Sequence, residues 1–206
     1  FKNNRTFLFS NIAALINYSA TFAIGFLMSL YLQYIRGLST QEAGWVLVSQ
    51  PLLQALLSPF AGKLSDKIEP RIVASVGMGI ITLGLISFIF IGPQTSLIFI
   101  ITVLGLLGIG FALFSSPNSN AIMSSIEKKY IGLASSTLSL MRMIGQMLSM
   151  GIVILILSFF VGNEKISGHN SNKFLESLLI TFSLFTVFCV IGIFASLARG
   201  NLKERS

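Results

Sequence analysis

The chain has 206 residues, of which 53% are hydrophobic and only 10% charged, with a mean hydropathy of +0.83. Soluble domains carry about 25% charged residues, so this chain lacks the charge to cover a water-facing surface, and its natural solvent is lipid. The net charge of +7 does not point to nucleic acid, because the cations sit in short clusters at the ends of apolar runs, with no basic face and no interleaved aromatics.

Apolar runs of about 20 residues, each enough to cross ~30 Å of hydrocarbon, predict six spans near residues 7–35, 43–62, 72–92, 97–121, 132–160 and 174–198. Strand-type alternation is absent and the runs are too long for barrel strands, so the expected fold class is all-α and integral to the membrane. The first run exceeds a signal-peptide core and five more follow it. Opening on Phe1 rather than Met, the chain is expected to start inside a longer protein. Midway along the first span lies a polar patch of Asn17, Tyr18 and Thr21. The second holds Gln50 and Gln54 one helical turn apart, with Pro51 and Pro59 bending the same helix.

Between the second and third spans comes a charged island, Gly62 to Arg71, with Lys63, Asp66, Lys67 and Glu69 inside it. The fourth span carries a glycine series at 105, 108 and 110, which lies mid-membrane with no preceding strand and therefore reads as close helix packing rather than a nucleotide loop. Towards its end stand Ser115, Ser116, Pro117 and Asn118, where the proline removes a backbone donor and marks either a hinge at the cavity mouth or a helix terminus. In the fifth span Arg142 is the sole charge well inside an apolar run, followed at helical spacing by Gln146 and Ser149. An arginine at this depth costs roughly 2.5–3.5 kcal/mol on insertion scales and must face protein or water. The loop from Val161 to Asn172 is polar and contains the lone His169. The single Cys189 is in the sixth span, so there is neither a disulfide framework nor a CxxC metal site. No cofactor is expected.

The cations set the direction of the spans. Lys2, Arg5, Lys63, Lys67, Arg71, Lys128, Lys129, Arg199, Lys203 and Arg205 gather on one side, against Arg36, Lys165 and Lys173 on the other. By the positive-inside rule both termini face the cytoplasm of a multi-pass cell-membrane protein.

Gly62, Leu64, Asp66, Lys67 and Arg71 resemble the signature that major facilitator transporters carry between the second and third helices of each six-helix half. Glu69 and Pro70 depart from it, so the turn is built differently. In mechanical terms, Gly62 allows helices to approach, and Asp66 pairs with a cation or caps a helix end. The loop is then either a conformational latch or a solvated anchor. The run from Gly105 through Ser115-Ser116-Pro117-Asn118, with Gly132 and the Met141-Arg142-x-x-Gly145-Gln146 segment, is similar to the C-terminal half of fourteen-helix drug:proton antiporters of the EmrB/QacA type. The resemblance implies a six-helix half, residues 1–206, of a transporter that moves small amphipathic molecules against protons. Its partners would be the bilayer and an N-terminal half, or a second copy of this chain. In such folds the first, second, fourth and fifth helices of a half line the cavity. Asn17, Tyr18, Gln50, Gln54, Asn118, Arg142 and Gln146 are therefore the cavity and substrate candidates, with interhelical hydrogen bonding as the alternative for each.

The seven acidic residues all lie near span ends or in loops, so no carboxylate is expected at mid-membrane and coupling acids would lie elsewhere in the transporter. An intramembrane hydrolase would need a nucleophile and base, or metal ligands, at depth, and the sequence offers none. A solute importer or uniporter on the same fold, and a non-transporting six-helix scaffold, remain the rival readings.

Overall fold

The computed structural model describes residues 4–162 and 171–199; His169, Glu164, Lys165, Lys2, Lys203, Glu204 and Arg205 lie outside the described residues. All regular structure among the described residues is helical. The first span is interrupted: α1 (Arg5–Thr21) gives way to α2 (Ile24–Leu30) and then to a wider π-type turn, Tyr31–Ile35. Gly37, at φ +67°, takes the left-handed conformation that ends this run. A capping box of Ser39 and Glu42 then starts α3 (Thr40–Leu47), and the hydrogen bonds that the Ser39 backbone N–H and hydroxyl donate to Glu42 Oε2 hold this exposed carboxyl below its ordinary value. There follow α4 (Ser49–Lys67), α5 (Pro70–Ile89), α6 (Leu97–Ser124), α7 (Ile131–Phe160) and α8 (Ser171–Leu197).

Five helical runs among the described residues are long and apolar enough to cross a membrane: Arg5–Ile35, Pro70–Ile89, Leu97–Ser124, Lys128–Phe160 and Ser171–Leu197. The predicted second span, 43–62, is not one of them. It divides at Val48 between α3 and α4, and α4 runs on to Lys67 through Lys63 and Asp66. Helical hydrogen bonding does not stop where hydropathy stops, so the boundary placed at the first charge fell several residues short. The expected loop of 62–71 shrinks to two linking residues, Ile68 and Glu69, after which Pro70 opens α5 at the position where its missing N–H costs nothing.

In the bundle α6 lies between α4 and α5, α5 packs on α8, and α1 packs on both α8 and α7. Lipid tails are as apolar as leucine, so helices here associate by close packing rather than by burial from water. The α5–α6 contact shows how. Gly77 stands against the α6 backbone, and a Cβ placed there would lie 2.7 Å from the Gly110 carbonyl oxygen and the Phe114 nitrogen. Around this crossing Met78, Ile81, Leu85, Leu104, Leu107 and Phe182 are fully enclosed, and the Phe88 and Phe182 rings lie 5.3 Å apart. Outward-facing positions are apolar too, including Phe90, Ile98 and Phe159 at 79%, 78% and 89% exposure, which suits a lipid surround.

Side chains tie the helix ends. At one end Asn4 Nδ2 donates to the Ser125 carbonyl, Arg5 Nε to the Ala198 carbonyl at 2.9 Å, and Thr6 Oγ1 to the Arg199 carbonyl at 3.1 Å. At the same end Ser75 Oγ donates to Ser196 Oγ at 2.8 Å, and Asn120 Nδ2 to Ser65 Oγ at 3.0 Å. The opposite end is fastened by Tyr31 Oη to the Gly92 carbonyl at 2.6 Å and Arg36 Nη1 to the Pro93 carbonyl at 3.0 Å. Arg199, counted in the sequence among the cations of the cytoplasmic side, is 1% exposed, and its three guanidinium nitrogens have no acceptor among the described residues. Burial pushes this group down to about 9, so it remains charged at neutral pH.

Replacing Gly77 by Leu should weaken the bundle by about 1–3 kcal/mol, the usual cost of forcing extra volume into a packed contact. Gly79→Leu, where the added carbon meets nothing within 4 Å, should be tolerated. Thermal melting of the purified full-length protein in detergent checks this, and equal melting temperatures for the two variants would contradict the close approach at Gly77.

Candidate functional site

The site begins with the interruption in the first span. Ser19 and Thr21 turn their hydroxyls back onto the carbonyls of Leu15 and Asn17, at 2.8 and 2.6 Å, a habit that bends membrane helices. The backbone then turns at Phe22–Ala23 before α2 starts. Inside a membrane no water is available for the released N–H groups. Ala23 N–H donates instead to Ser149 Oγ on α7 at 3.0 Å, and Ser149 is fully buried.

Beside this break an open cavity of about 470 Å³ is lined by Tyr18, Thr21, Phe22 and Gly25 from the first span, Leu47, Gln50, Pro51 and Gln54 from α3 and α4, and Phe111 from α6. Pro51 has no N–H to offer the Leu47 carbonyl, which leaves an acceptor at the wall. Gly108 brings α6 against the Gln50 carbonyl so closely that a Cβ there would fall on the oxygen. Three of the seven expected cavity residues, Tyr18, Gln50 and Gln54, thus share one wall.

Arg142 stands behind that wall rather than in it. Its guanidinium carbon is 5.6 Å from the centroid of the Tyr18 ring, Nη2 donates to Ser119 Oγ on α6 at 2.9 Å, and Nε is enclosed with no partner among the described residues. Gly145, one turn along α7, explains the Arg-x-x-Gly spacing. A Cβ there would be 2.7 Å from the Leu15 carbonyl oxygen, so α7 presses directly onto α1 and carries Arg142 to Tyr18. Asn17 and Asn118, neighbours in sequence of Tyr18 and Ser119, are buried, but neither lines the cavity. Among the described residues, neither polar side-chain atom of Asn17 nor Oδ1 of Asn118 has a hydrogen-bond partner. Gln146 is half-buried on α7, also off the wall. Pro117 does not end a helix; it is buried inside α6, which continues to Ser124.

The other expected group lies far from this cavity. Gly62 faces Ser116 of α6, whose Oγ would be 3.1 Å from an added Cβ, in keeping with the close approach expected of it. Asp66 and Lys67 are exposed on the last turn of α4, and Arg71 is the second residue of α5. Asp66 forms no ion pair among the described residues and caps no helix, because α5 starts from Glu69 without a side-chain cap. Among the described residues Asp66 therefore makes neither the ion pair nor the cap expected of it.

Sequence reading missed the break at Phe22–Ala23 and the apolar part of the wall. Ser149 was visible one turn beyond Gln146, on the Arg142 face, but nothing local marked Ala23 as its partner.

A family model described as Major Facilitator Superfamily matches residues 11–205. Riboflavin transporter RibZ of Clostridioides difficile (strain 630) is 28% identical over 194 residues, covering 92% of this chain and 42% of the relative. Uncharacterized transporter YebQ of Escherichia coli (strain K12) is 33% identical over 136 residues, 66% of this chain and 30% of the relative. Multidrug resistance protein Stp of Mycobacterium tuberculosis (strain ATCC 25618 / H37Rv) is 28% identical over 134 residues, 65% of this chain and 25% of the relative. The chain thus spans less than half the length of these relatives.

Ser149→Ala leaves the buried Ala23 N–H without an acceptor and should lower stability by about 1–3 kcal/mol, the penalty for one unsatisfied buried donor. Ser149→Thr, which keeps the hydroxyl, should retain most of it. Denaturant titration of the full-length protein in micelles reads the difference, and wild-type stability in the alanine variant would show that the bond does not hold the break.

Proposed function

The chain belongs to the major facilitator superfamily, and we propose that it is the C-terminal six-helix half of a secondary transporter that exports amphipathic small molecules in exchange for protons. The second of the six spans is then α3 with α4. The observation that carries this reading is the cavity beside the broken first span. Discontinuous helices in carriers supply unpaired backbone groups to a substrate near the bilayer midplane, and here the break, the Pro51-bearing turn and two glutamines converge on one space.

The flanks of the bundle supply the second support. The most apolar stretch of α7 is 17% buried, against 56% for α6, so α7 retains a broad face for a partner. An opposing N-terminal half, or a second copy, would rock against that face and expose the cavity to alternate sides. Asp66 and Arg71, at the end of α4 and the start of α5, would meet latch partners across that interface. The relative named as a multidrug resistance protein favours drug export. In the cytoplasmic membrane, with both termini inside, the latch end would face the cytoplasm. Coupling acids would come from outside this segment, since Glu42, Asp66, Glu69, Glu127 and Glu176 all stand near helix ends or in links among the described residues.

A second reading, a carrier for one solute, is favoured by the relative named as a riboflavin transporter, which matches 92% of this chain. The full-length protein reconstituted in liposomes separates the two. The export reading expects dye extrusion that collapses when a protonophore removes the gradient. Riboflavin movement indifferent to the gradient would support the solute carrier instead.

Asp66→Asn and Arg71→Ala should each slow transport roughly 2- to 30-fold, the span that 0.5–2 kcal/mol of lost coupling gives, while membrane insertion is unchanged. Wild-type rates in both would leave the charged segment a solvated anchor.

A further inference from the structure

We propose that Arg142 is the anion-recognition group of the cavity, so that the face of the substrate turned towards this half carries a carboxylate, a phosphate or a similar anionic acceptor. The inference rests on the transport reading and adds the substrate's chemistry to it.

The charge inventory comes first. Within the membrane-spanning helices Arg142 is the single charged side chain well away from both helix ends among the described residues. Glu42 is spent on the α3 capping box, Asp66 and Glu69 stand where α4 meets α5, Glu127 pairs with Lys129 at 2.8 Å, and Glu176 is exposed near the start of α8. This half therefore presents positive potential to the cavity and no carboxylate to offset it. In a low-dielectric wall that sign decides which ligands are admitted, because charge interactions there are little screened.

The geometry then makes Arg142 usable. A guanidinium offers five N–H donors in a planar fork that matches carboxylate and phosphate oxygens two at a time. Here one nitrogen is fixed on Ser119 Oγ, the plane is steadied by the Tyr18 ring, and enclosed Nε has no acceptor. Neither contact neutralises the charge. Tyr18 belongs to the cavity wall, so the cation is one aromatic ring away from the space. Gln50 and Gln54 add amide donors on the facing helix. The amide of Asn17 and Oδ1 of Asn118, on the first span and α6, carry hydrogen-bonding capacity that the described residues do not use. A cationic amphiphile entering this space would lie one aromatic ring from an arginine that no carboxylate among the described residues offsets.

The test compares two dyes that share a tricyclic xanthene core but differ in charge, anionic carboxyfluorescein and cationic tetramethylrhodamine ethyl ester. Binding is read by fluorescence anisotropy at equilibrium, on the purified full-length protein in nanodiscs. Wild type should bind carboxyfluorescein the more tightly. Arg142→Gln should weaken carboxyfluorescein roughly 10-fold or more, as loss of a charge-assisted hydrogen bond does, and leave the rhodamine unchanged or tighter. Arg142→Lys keeps the charge without the fork and should fall between; it serves as the deciding variant where Arg142→Gln does not fold. Equal weakening of both dyes would make Arg142 a structural residue. An unchanged carboxyfluorescein affinity would mean that a carboxylate from the rest of the protein already holds Arg142. Either result, or a wild type that binds no carboxyfluorescein, overturns the assignment. Because no transport is read, a failure of dye movement in liposomes counts against the carrier reading and not against this one.

Discussion

One hydrogen bond, from Ala23 N–H to Ser149 Oγ, fixes the relation between the broken first span and α7. A helix interrupted in lipid must place its released donors on protein, because the surrounding hydrocarbon accepts nothing. By taking that donor, α7 is tied to the point where α1 turns into α2. The same pressing contact at Gly145 sets Arg142 over Tyr18. The cavity wall, the position of the membrane-depth cation and the exposed face of α7 are thus consequences of a single junction.

Helix identity was legible in the sequence because a span of ~30 Å needs a long apolar run whatever it packs against. Five of the six expected runs reappear with ends shifted by a few residues. The second was harder, since a helix that faces a polar cavity on one side loses the hydropathy by which spans are recognised. Gln50, Gln54 and Ser58 are what make α4 interesting, and they are also what make it look less like a span. The break at Phe22–Ala23 was not legible at all. Phenylalanine and alanine give no local signal, and the acceptor that stabilises the break lies 126 residues away. Tyr18, Gln50 and Gln54 could be found from helical spacing, whereas Leu47 and Phe111 join the wall only through tertiary packing.

Small residues do two kinds of work in this bundle. At Gly77 and Gly110 they let α5 and α6 touch backbone to backbone, and the surroundings are sealed by large apolar side chains. At Gly108 the same device brings α6 against a carbonyl at the edge of an open space. The first contact makes a rigid pair; the second positions a backbone acceptor beside a cavity. Sequence shows the glycines alike, and only their neighbours separate the roles.

The two enclosed arginines show why depth matters more than burial. Arg199 is the more deeply buried, yet it follows directly on the last residues of α8, where the helix ends in carbonyls carrying partial negative charge. That field offsets part of the cost of a guanidinium that has no hydrogen-bond partner among the described residues. Arg142 lies well inside α7, between Ile131 and Phe160, where neighbouring peptide dipoles are satisfied within the helix and no end is near. A neutral hydroxyl and an aromatic face are its known contacts, and together they orient the charge without cancelling it. Of the two, Arg142 is the cation whose compensation has to come from outside the described residues.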